Sequence, residues 1–141
     1  MSEQVREVFV SELKDVFAFL VAYGFRFRED TIEDRTFFVR AAYTGNNIAF
    51  EFSLDKREQL VECDVCSVLA DKIARFPVNG GYYKPLQTYL IQHCGFRSSI
   101  RDSLRGDRPI RQKIRDALEA YAEILKTRGA ILLTDKAEVL V

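Results

Sequence analysis

Tryptophan is absent from the 141 residues, histidine and methionine occur once each, and cysteine occurs three times. Without tryptophan, the aromatic part of any core falls to eleven phenylalanines and six tyrosines. A single histidine means that any Ser/His/Asp or Cys/His catalytic set has to run through His93. Three cysteines is an odd number, and the opening "MSEQVREVF" places charges where an export signal needs an unbroken apolar stretch. A disulfide framework is therefore not expected, and a reducing cytoplasm is the expected location. No apolar run approaches the roughly 18 residues that cross a bilayer, so no membrane association is expected. The motifs of common enzymes are missing too. There is no G-x-S-x-G, no P-loop and no dinucleotide fingerprint, and "VNGGYY" lacks the lysine and spacing of a phosphate cradle.

Net charge is also missing: 21 acidic side chains balance 21 basic ones. The balance hides a segregation. Residues 1–70 carry 13 acidic and 8 basic groups (8 − 13 = −5), and residues 71–141 carry 8 and 13 (13 − 8 = +5). Such asymmetry serves either two complementary faces of one fold or a surface that attracts a charged partner. With 48% apolar and 30% charged residues, the composition is that of a globular chain able to bury a core.

Hydrophobic spacing divides the chain. Val5, Val8, Phe9, Leu13, Val16, Leu20 and Tyr23 recur at intervals of three and four, predicting a helix over residues 4–23, with Ser2 as its N-cap and Gly24 as its stop. The period then changes to two. Phe37, Val39, Ala41 and Tyr43 share one face, as do Ile48, Phe50, Phe52 and Leu54, and "TGNN" between them has the residues of a hairpin turn. An earlier strand is expected at Phe25 to Glu29 and a later one in "LVECDVCS". Between the first two strands, "REDTIEDR" reads as a solvated turn. Beyond Ser67 the pattern reads as helices: "SVLADKIARF", "KPLQTYLIQHCG" with Pro85 in its first turn, "RSSIRDSLRG", and a long final stripe from Ile110 to Leu125, with Asp107 as cap and Pro109 in its first turn. The expected fold is α+β. An antiparallel sheet of about four strands in a meander, one face apolar and one solvated, is covered on the apolar face by the N-terminal and C-terminal helices. Residues 1–141 are expected to form one domain.

Four features carry possible chemistry. In "ECDVC", Cys63 and Cys66 have the spacing of a redox dithiol or half a zinc site. On a strand, however, positions three apart face opposite ways, so Cys63 is expected in the core and Cys66 in solvent, unable to share a metal. His93 and Cys94 sit at the end of an expected short helix, and neighbouring helical residues point about 100° apart. No metal and no cofactor is therefore expected. Glu29, Asp30, Glu33 and Asp34 form an acidic cluster without the ligand pattern of a calcium loop, and their exposure suits them to contact. The most unusual feature is basic. Arg97, Arg101 and Arg105 are spaced by four, and Arg108, Arg111 and Arg115 repeat the row at the start of the next helix. Guanidinium rows suit an acidic protein surface or a phosphate backbone, and a plainly solvated face is the alternative. Nucleic acid is the less expected partner, because the sequence pI is about 6.6 and no base-stacking motif accompanies the arginines.

An opening helix ending in "AYGFRF", then "FFVRAAY", "IAFEFSLDKREQ" and "LVECDVC", then "ALEAYAEILKTRGAILLTD", resembles a group of small bacterial α+β proteins. Some of these are similar to immunity proteins of polymorphic toxin systems, which bind and block a toxin. The resemblance spans most of the chain in short pieces and carries over no site residue. It implies a non-enzymatic protein-binding module that meets its partner through charged surfaces. The rival expectation is a small-molecule-binding protein or enzyme with a pocket near Tyr82, Tyr83 and His93.

Overall fold

The computed structural model describes residues 2–45, 48–57, 60–69, 72–73, 83–85 and 109–127. The chain opens with helix α1 (Ser2–Val16) and tightens into a 3-10 helix at Ala18–Tyr23. Strands β1 (Arg26–Asp34), β2 (Phe38–Gly45), β3 (Ile48–Asp55) and β4 (Leu60–Leu69) follow as an antiparallel meander. Two short strands, β5 (Lys72–Ile73) and β6 (Tyr83–Pro85), pair with different stretches of β4. Helix α2 (Ile110–Thr127) is the last described element.

The first helical segment is split rather than continuous. In the tighter 3-10 winding, residues three apart eclipse, so Phe17 and Leu20 both reach the core and are fully buried. Phe17 packs on Phe52 of β3 with ring centroids 4.4 Å apart, whereas Tyr23, expected on the buried face, stays 44% exposed. The stop at Gly24 is as the sequence suggests. Its φ of 91° is left-handed, its N–H donates to the Val21 carbonyl, and the N–H of Phe25 reaches back to Leu20. That pair of bonds is a Schellman closure, and the buried Leu20 and Phe25 supply the hydrophobic contact that goes with it. Ser2 is already inside α1 rather than ahead of it.

One sheet face meets both helices. Val39, Ala41 and Tyr43 of β2, Phe50, Phe52 and Leu54 of β3, and Val61, Cys63 and Val65 of β4 alternate onto it. Phe9 and Leu13 from α1 close over these, as do Ile114, Leu118, Tyr121 and Leu125 from α2. The α+β arrangement, an antiparallel four-strand meander with helices at either end of the chain, is therefore present. The Tyr121 hydroxyl donates to the Val61 carbonyl at 3.1 Å and fixes α2 over β4. At the β2 terminus, Gly45 lies directly against the Gly24–Phe25 backbone: a Cβ there would come within 2.6 Å of the Gly24 carbonyl oxygen.

Three expectations are corrected. The opposite sheet face is not solvated throughout: Ala42, Ala49, Glu51, Asp64 and Cys66 are buried on it, while Glu62 in the next row is exposed. "SVLADKIARF" does not open as a helix, because β4 continues to Leu69 and turns back into β5, with Val68 opposite Ile73. A short apolar run fits either period, and the unpaired edge of β4 decides for strand by offering backbone partners. Pro85 ends strand β6 instead of starting a helix, a place where its missing N–H costs no ladder bond. The rest of the helix expected over residues 84–95, the helix expected over residues 97–106 and the cap Asp107 lie outside the described residues. Pro109 stands just before α2, and its carbonyl accepts the first bond, from Lys113, at 3.0 Å.

Candidate functional site

Two of the six arginines of the basic rows are described, and both lie on α2 where it crosses α1. Arg111 and Arg115 are one helical turn apart and point to the same side, as Glu12 and Asp15 do on α1. Arg111 Nη1 lies 2.5 Å from Glu12 Oε2, and Arg115 Nη1 lies 3.0 Å from Glu12 Oε1 and 2.6 Å from Asp15 Oδ2. Arg115 also reaches Glu119 on its own helix at 3.2 Å. Here the acidic first half of the chain meets the basic second half inside one molecule. Glu12 is only 7% exposed, and both of its carboxylate oxygens meet guanidinium partners. The hydrogen bonds that Arg115 donates to Asp15 and Glu12 push its pKa further above its ordinary value. Arg115 therefore has an intramolecular task. Arg111, by contrast, keeps 55% of its side chain exposed while bonded to Glu12. Arg97, Arg101, Arg105 and Arg108 lie outside the described residues. Asp15, Arg115, Asp116, Glu119 and Lys126 line a shallow depression of about 580 Å³ along this face.

Cys63 and Cys66 stand on opposite faces of β4, as strand alternation requires, and neither forms a disulfide. Cys66 is fully buried, however, not solvent-facing. Burial, with the nearby charges of Asp64, Cys66 and Glu51 adding to it, pushes the Cys63 thiol well above its usual range. A thiol held neutral is neither a ready nucleophile nor a metal ligand. Among the described residues, no three His, Cys, Asp or Glu side chains converge as a metal site. His93, Cys94 and Tyr82 lie outside the described residues. The backbone of Tyr83 is placed in β6, opposite Cys66.

The acidic cluster is strand, not turn. Glu29 to Asp34 belong to β1, and only residues 35–37 link it to β2. The ladder slips between Arg28 and Glu33, and Thr31 patches the slip: its hydroxyl donates to the Arg28 carbonyl and accepts the Ala42 N–H. This bulge hides the strand from a reading that looks for strict alternation. Each acid there has a cation. Glu29 meets Lys14, Asp30 meets Arg28, Glu33 meets Arg40 and Arg35, and Asp34 meets Lys56. Hydrogen bonds from Arg28 lower the Asp30 pKa, and those from Arg40 and then Arg35 lower that of Glu33.

The sequence reading missed two groups. Glu51 and Asp64 sit directly opposite each other on β3 and β4, 2% and 7% exposed. Their alternation with apolar neighbours had placed them in solvent, and nothing local signals their burial. The other is Lys56, whose ammonium bonds Asp34 at 2.6 Å and the Arg35 carbonyl at 2.7 Å, joining segments 22 and 21 residues away in sequence.

No helix among the described residues is long and apolar enough to cross a membrane. Searches against protein-family models, curated proteins and solved structures find no match to this chain.

Proposed function

We propose that the chain is a non-enzymatic protein-binding module that recognises its partner through charged surfaces, the mode an immunity-like inhibitor uses. The observation that carries this reading is the α1–α2 face. Arg111 is anchored by Glu12 yet more than half exposed, beside the exposed carboxylates of Asp15 and Glu119. Charges held in place before binding lose little side-chain entropy on docking, and a patterned array of both signs speeds encounter and rejects wrong partners. The buried, neutral Cys63 thiol supports the non-enzymatic half of the reading. The partner is a protein with a complementary charge pattern, met in the bacterial cytoplasm.

The test is co-purification from a bacterial host with three baits: the wild type, Arg101→Glu/Arg105→Glu, and Arg111→Ala. A protein retained by the wild type and lost from the variants, with each variant still folded at the assay temperature, supports the reading. Equal retention by all three removes the arginines from the interface. A small molecule co-purifying in place of a protein would favour the pocket reading.

A further inference from the structure

We draw no further inference here: the strongest candidate, the buried carboxylate pair of Glu51 and Asp64 facing each other across β3 and β4 on the second sheet face, carries none because no second observation among the described residues points to a ligand for it.

Discussion

Removing one oxygen from Tyr121 tests how α2 is fastened to the sheet. The hydroxyl donates to the Val61 carbonyl at 3.1 Å, and the side chain is 8% exposed. Tyr121→Phe keeps the ring in place, so the apolar packing hardly changes and no cavity of consequence opens. What is lost is one buried hydrogen bond, a net cost of about 1 kcal/mol, rising toward about 2 if the carbonyl is left without a replacement donor. For a chain of this length, about 1 kcal/mol corresponds to a fall of roughly 3–4 °C in melting temperature. Tyr43→Phe is the matched control. Its hydroxyl reaches the Lys14 carbonyl only at 3.5 Å, the outer limit of such a bond, and its removal should cost less than about 0.5 kcal/mol. Urea unfolding of the wild type and both variants gives the comparison at constant m-value. Equal costs for the two substitutions, or a neutral Tyr121→Phe, would refute the claim that this bond seats the helix.

Four further outcomes follow from the same geometry. Burial raises the pKa of Tyr43 to about 12 and that of Tyr121 further still, so both phenols stay neutral in the fold while the unfolded chain ionises near pH 10. Their contribution is complete below pH 10 and declines as pH rises toward 12; a urea series over that window should show a shallower decline for the double phenylalanine variant. Gly45→Ala drives a methyl against backbone atoms that cannot rotate away, and should cost about 1–3 kcal/mol by chemical denaturation. In a Cys94→Ser background, native Cys63 and Cys66 should resist Ellman's reagent and react only after unfolding. Glu12→Arg, which crowds three cations at the α1–α2 crossing, should lower the melting temperature, and adding Arg115→Glu should recover part of the loss.

Period and turn chemistry determined much of this protein from the sequence. The helical opening with its stop at Gly24, though not its split into α1 and a 3-10 turn, the β2–β3 hairpin, the onset of β4 and the stripe of α2 all follow from where apolar side chains recur, because a buried face leaves its period in the chain. Strand alternation also separated Cys63 from Cys66 without coordinates. Tertiary structure decided the rest. A bulge patched by Thr31 turned an acidic "turn" into an edge strand. The need of the β4 edge for backbone partners made strands of β5 and β6. The second sheet face holds Glu51, Asp64 and Cys66 buried, where local pattern placed them in water. The two signs of charge were visible as halves of the sequence. That Glu12 and Asp15 would meet Arg111 and Arg115 depended on which helices lie side by side, and packing between segments about a hundred residues apart leaves no trace in the spacing of either.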